Sequence, residues 1–346
     1  MSYMDNQDKP LYIVPNNLCG VWADVAKNVQ QCEPMIIKKY GSADEFLMEV
    51  SYGGDLYPRL NNSIVFRGLQ SGTYELIPSV LRNKIKFSNL DGRKYIEPED
   101  SDIKLAESEE KQRFKEYYDL RTFFELSDEN SLRLPDVERI RKYLLSYEDL
   151  GSTRRLTDEW IPYDLHELAA LAQHYGLKTR LLDWTTSIDT AIYFAIHEEP
   201  VLKEEEKSCE DAKYVVIWML DTSITYKIQN LKFIRPPYYG NPNLAAQRGL
   251  FSCWIEPGFN LSSNVISEAE HMNIMSVPVN RTPLDKRIKE ELKGESVNKT
   301  YMWKLMIPRE GRKELYEYIN RKGVNAASLF PGYGGVVKCI LETRAF

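Results

Sequence analysis

Three short stretches concentrate the residue types that handle phosphates, sugars and charge. The first is Phe66-Arg67-Gly68 within SIVFRGLQ, residues 63–70. Its clustered β-branched and aromatic residues predict a strand, with Val65, Arg67 and Leu69 on one face and Ile64 and Phe66 on the other. An arginine in such a strand is costly unless its guanidinium is paired. Its fork suits a phosphate or a ribose. A buried carboxylate partner or a place on an edge strand would explain it equally. Gly68 removes a side chain just beyond, so another backbone or a ligand can come close.

The second stretch is QHYGLKTRLLDWTTS, residues 173–187. His174 falls at a helix C-terminus, where the dipole favours its charged form. Arg180 and Asp183 are close enough to pair. Thr185, Thr186 and Ser187 sit at the mouth of the next helix, where hydroxyls and free backbone N–H groups face outward. Read as plain structure, Ser187 is a cap, Arg180–Asp183 a bridge and Trp184 core; the density of all of them favours a site. The third stretch is NLAAQRGLF, residues 243–251, where polar groups precede a strand entered through a glycine. Gln247 can hold ribose hydroxyls through its amide, or be an ordinary loop residue.

Other chemistries lack their patterns. No GxGxxG follows a strand and no Walker-type loop or nucleophile-elbow GxSxG occurs. The four histidines show no metal-ligand spacing, so no metal site is expected. Glu268 and Glu270 stand out as a carboxylate pair, but in a polar stretch that fits a solvated surface.

The elements that must position these residues read as follows. A helix begins at Ser42, capped with Glu45 three residues on. Further helices are expected around 108–126, over 134–145, over 163–176 with Asp164 and Glu167 as a capping pair and Gly176 as the stop, from Ser187 into 188–199, and over 309–323. Strands are expected at 63–70, 179–182, 213–221 (buried on both faces), 250–257, 301–308 and 335–342. Residues 1–34 read as an N-terminal extension, with polar insertions near 84–110, 197–212 and 258–300 inside a single large domain spanning 35–346. Scattered strands and helices suggest an α+β fold.

Composition narrows the partners. The 346 residues are 43% hydrophobic and carry a formal net charge of -6, so the chain as a whole lacks the basic footprint of a nucleic-acid binder. Apolar runs fall short of a membrane span, and the first residues show no signal-peptide pattern. Five cysteines, an odd count without CxxC spacing, fit reduced thiols. The expectation is a cytoplasmic protein with no membrane partner.

IVFRGLQ, PSVLR (78–82), AQHYGLKTRLLDWTTSIDTAIYFA, AAQRGLF and SLFPGYGGV together closely resemble the FRG (Phe-Arg-Gly) domain family of prokaryotic proteins, over roughly residues 40–342. The QHYGLKTRLLDWT segment is the most specific part. The motif order is similar to that of ADP-ribosyltransferases. The resemblance implies a mixed, split sheet flanked by helices, and a nicotinamide dinucleotide (NAD) as substrate. It implies catalytic roles for Arg67, Thr185, Ser187 and Gln247, and binding roles for Arg67, Gly68, His174, Tyr175, Arg180, Asp183 and Thr186. The transferase pattern has a glutamate entering the third strand, where this chain has Gln247; Glu256, Glu268 and Glu270 are substitutes in sequence only. The resemblance thus implies an ADP-ribosyltransferase-like enzyme, a toxin or phage-defence effector with a protein or nucleic-acid acceptor. The alternatives are a nucleotide-binding module without catalysis and a different, nucleic-acid-directed transferase or hydrolase.

Overall fold

The computed structural model of the chain describes residues 33–60, 63–82, 109–146, 159–239, 241–258, 278–295 and 299–345. Most of the expected N-terminal extension, and the greater part of the insertions near 84–110 and 258–300, lie outside the described residues.

Seven strands build one sheet: β1 (Met35–Lys39), β2 (Ile64–Leu69), β3 (Leu182–Thr185), β4 (Tyr214–Asp221), β5 (Leu231–Ile234), β6 (Gly249–Trp254) and β7 (Met302–Pro308). Their order is β1-β7-β4-β2-β3-β6-β5. β1 pairs with β7 in parallel and every other neighbouring pair is antiparallel, so the sheet is mixed and the fold α+β. β2 is registered against β4 along all six of its residues, but against β3 only at Phe66↔Thr185.

The helices are α1 (Ala43–Val50), α2 (Glu109–Glu129), α3 (Glu138–Ser146), α4 (His166–His174), α5 (Ile188–Ile196), α6 (Glu204–Lys207), α7 (Pro242–Ala246), α8 (Leu284–Glu291), α9 (Arg312–Arg321), α10 (Ala326–Leu329) and α11 (Tyr333–Ala345). Strand alternation divides the core. Ile64, Phe66, Ile217 and Met219 pack with Phe46 of α1, Ile192 of α5 and Ile319 of α9. Val65, Leu69, Trp218 and Leu220 point the other way, with Trp184, Met302 and Ile288 of α8. A third cluster joins Phe124, Ile140, Leu168 and Ala172 of α2, α3 and α4 to Phe251 and Cys253 of β6. Cys253 is fully buried there, and burial pushes its thiol up to about 12, so it is an inert core residue.

Several sequence expectations change. The strand expected at 179–182 begins at Leu182 and runs to Thr185. Asp164 does not pair with Glu167 at a cap; its carboxylate accepts from Arg139 Nε at 2.8 Å. Part of the loop at 197–212 is the short helix α6, and α8 lies within the stretch read as irregular. Residues 335–342 form helix α11, not a strand. That helix turns Gly335, Cys339 and Glu342 inward and leaves Val336, Val337, Ile340 and Leu341 exposed, so its β-branched run faces solvent.

Candidate functional site

Because β2 and β3 share one registered pair, they diverge beyond it, and a cleft of about 470 Å³ opens there. That volume is in the range of small-molecule sites. Its walls come from β2, α4, β3, α5, α7, β6 and the turn after α10.

Arg67 leaves β2 into this cleft with 12% of its side chain exposed. Its Nη1 donates to the Asp183 carbonyl at 2.6 Å and to Asp183 Oδ2 at 3.2 Å. Its Nε is buried with no partner among the described residues. Of the two close approaches expected at Gly68, its Cβ side admits another backbone. A Cβ there would stand 1.9 Å from the Ala191 carbonyl oxygen and 2.7 Å from the Ala195 nitrogen, so the glycine lets α5 lie directly on β2.

Asp183 is 61% exposed and ends a relay of side chains. Gln173 Nε2 donates to Asp183 Oδ1 at 2.8 Å, the Gln173 carbonyl accepts from Thr179 Oγ1, and Thr179 Oγ1 accepts from the Leu181 amide at 3.1 Å. Much of the polar density of the second sequence stretch is spent on fixing this one carboxylate. His174 lines the same cleft. Burial pulls its imidazole below the ordinary value, with Asp183 opposing, so the ring is neutral near pH 7 despite its place at a helix C-terminus.

Arg180 does not pair with Asp183 and does not reach the cleft. It is 3% exposed, its Nε donates to both oxygens of Glu116 at 2.9 and 2.8 Å, and its Nη1 lies 2.7 Å from Glu109 Oε1. Burial opposes the guanidinium charge, but Glu116 and Glu109 more than offset it and raise its pKa. Trp160 Nε1 also donates to Glu116, at 2.7 Å.

Thr185 closes β3 inside the cleft. Its Oγ1 donates to the Gln247 carbonyl at 2.7 Å and accepts from the Ser187 amide at 3.0 Å. Ser187 is the N-cap of α5, accepting from the Thr190 amide at 3.3 Å. The Thr186 amide donates to the Arg248 carbonyl at 3.2 Å. Gln247, just ahead of β6, lines the cleft and gives its amide to the Leu329 carbonyl at 3.2 Å. The described lining therefore joins Arg67, Gly68, His174, Asp183, Thr185 and Gln247, and leaves out Tyr175, Arg180, Thr186 and Ser187. Tyr175 is 65% exposed, with its ring edge-to-face on His174.

Among the described lining residues, Asp183 is the sole carboxylate. Glu256 lies elsewhere, accepting from Arg287 Nη1 at 2.5 Å. Glu268 and Glu270 lie outside the described residues.

Residue-level reading of the sequence missed Arg82, Phe194 and Phe330, which also line the cleft. Arg82 donates through Nε to the Ile77 carbonyl at 2.7 Å. Arg82 is an exposed residue; partial desolvation of its guanidinium, and then the charge of Arg67, lower its pKa from the ordinary arginine value. The signal was present: PSVLR and SLFPGYGGV belong to the family-like strings, though neither has a chemical pattern of its own.

Comparison with known proteins gives one family match. The FRG domain model matches residues 62–204, a span that contains Arg67, Arg82, His174, Asp183 and Thr185, while Gln247 and Phe330 follow it. No curated protein and no solved structure matches the chain.

Proposed function

From the premise that the chain carries an FRG domain, we propose that it is an ADP-ribosyltransferase-like enzyme acting on a nicotinamide dinucleotide. The observation that carries this reading is that Arg67, His174, Thr185 and Gln247, from distant parts of the chain, line one cleft of about 470 Å³. The motif order quoted above supplies the reaction class, by analogy of fold. Breaking the nicotinamide glycosidic bond builds positive charge on the ribose, so catalysis rests on positioning and on a group that meets that charge. Arg67 holds the phosphate side of the substrate through the donors left free by its Asp183 contact. Neutral His174 can accept from a ribose hydroxyl. Gln247 and Thr185 frame the nicotinamide ribose, and Phe194 and Phe330 offer aromatic surface to a planar ring. Asp183, clamped by Gln173 and Arg67, is the carboxylate available to the developing cation. The released ADP-ribose passes to water or to a protein or nucleic-acid acceptor, in keeping with a toxin or phage-defence effector.

One observation favours a second reading, a nucleotide-binding module without turnover. The third-strand position is a glutamine whose amide is already committed to Leu329, and the described lining holds no glutamate.

Labelled dinucleotide incubated with the protein, with and without cell extract, separates the two. Free nicotinamide or a labelled acceptor supports the enzyme. Calorimetric binding without product supports the module. Absence of both overturns the proposal. Arg67→Ala is expected to weaken dinucleotide binding roughly 10- to 100-fold, the weight of losing a charge-assisted hydrogen-bonding group.

A further inference from the structure

The cleft sits in an acidic chain, yet its described lining carries two guanidinium groups, Arg67 and Arg82, against the single carboxylate of Asp183. Each arginine is pinned by one edge only. Arg67 is held through Nη1 by Asp183, and Arg82 through Nε by the Ile77 carbonyl. The other edges have no partner among the described residues; that of Arg82, an exposed residue, is open to solvent, while in Arg67 the orphan Nε is buried, where an unmet donor is costly. The charge of Arg67 also presses on Arg82, so the two groups share one electrostatic environment. Like charges lining one cleft favour an anion there, and planar guanidinium forks match phosphoryl oxygens.

From this arrangement we infer that Arg67 and Arg82 form a two-arginine clamp for a diphosphate, with Arg82 as the residue that selects two linked phosphates over one. This rests on the reading of the cleft as a nucleotide site and names the part of the ligand that the cleft grips. The shared chemistry is the pyrophosphate unit, whether it comes from a dinucleotide, from ADP-ribose or as the inorganic ion.

Calorimetry on the full chain tests it, with inorganic pyrophosphate, ADP-ribose, the nicotinamide dinucleotide, adenosine monophosphate and nicotinamide riboside as probes. Arg82→Gln is expected to weaken the three diphosphate probes roughly 10- to 100-fold, to move the monophosphate much less, and to leave the riboside within about twofold. Arg82→Lys should recover part of the loss, and thermal melts of both variants check that each is folded. Equal affinity of wild type for monophosphate and diphosphate probes, no binding of pyrophosphate, or unchanged diphosphate binding in Arg82→Gln overturns the clamp. Dinucleotide bound and cleaved with no dependence on Arg82 would sink the clamp alone. Arg82-dependent binding of pyrophosphate or ADP-ribose with the dinucleotide ignored would uphold the clamp and sink the proposed substrate.

Discussion

Arg67 and Arg180 were equally conspicuous as residues, each a guanidinium amid apolar neighbours, yet they do opposite work. Arg67 lines an open cleft and is held there by Asp183, while Arg180 is enclosed by Glu109 and Glu116. The difference was not legible because both carboxylates come from α2, far back in the chain, and ion pairing across such a distance leaves no local spacing to read. Arg67 was legible for a reason local to β2: alternation put it on the same face as Val65 and Leu69, which pack into core. Arg180→Ala is expected to lower stability by about 3–5 kcal/mol, since it leaves the buried Glu116 without its guanidinium partner, while Glu109 keeps its ion pair with the buried Arg113. Urea unfolding checks this, and any loss of ligand binding should track the loss of folded protein. A folded Arg180→Ala chain with normal stability but no binding would instead return Arg180 to the site.

Among the elements, the clearest sequence signals were those enforced within a few residues. Ser42 and Ser187 cap α1 and α5 as expected, and Gly176 and Gly323 follow helices with positive φ. Expectations failed where tertiary contact decides. α11 looked like a strand because Val336, Val337, Ile340 and Leu341 suit one, but its anchor is a close approach of Gly335, where a Cβ would lie 1.9 Å from the Phe330 carbonyl oxygen, and a hydrogen bond from Tyr193 Oη to Glu342 at 2.6 Å. The seating of α5 on β2 is likewise set by one position. Gly68→Ala is expected to cost about 1–3 kcal/mol or more through overpacking, because the methyl group meets backbone that cannot swing aside. Chemical denaturation measures that cost. A variant as stable as the parent would show that α5 has room to withdraw.

For the whole molecule, composition and pattern were enough to reach an α+β fold but not the order of its strands. β2 lies between β4 and β3, and β1 joins the sheet beside β7 near the far end of the chain; these neighbours are set by long-range register. The same packing gives the molecule a pH response. Burial lowers the pKa of His166, His174 and His197 in the folded state, as the leading cause in each. Below about 6.5, the ordinary histidine value, the unfolded chain takes up protons that the folded chain resists, so stability falls as pH falls through that region. Asp119, Asp285 and Glu342 are raised and act with the opposite sign, from the lower carboxylate range upward. Melting temperature is therefore expected to drop between pH 7.5 and 6, and imidazole proton resonances followed by NMR should show these three rings titrating below 6.5. Midpoints at or above 6.5 would contradict the burial described here.

The contact between the Arg67 guanidinium and the Asp183 carbonyl has a further consequence. Past Phe66 and Thr185 the two middle strands stop exchanging backbone hydrogen bonds, and an unsatisfied strand margin ordinarily invites stray chains to dock. Here the two margins face each other in the middle of the sheet, and a side chain serves as the crosspiece between them. On the proposed reading of the cleft, grip on the guest and integrity of the scaffold reside in one residue. An anion that drew the guanidinium toward itself would therefore compete with the Asp183 carbonyl for the same Nη1 donor.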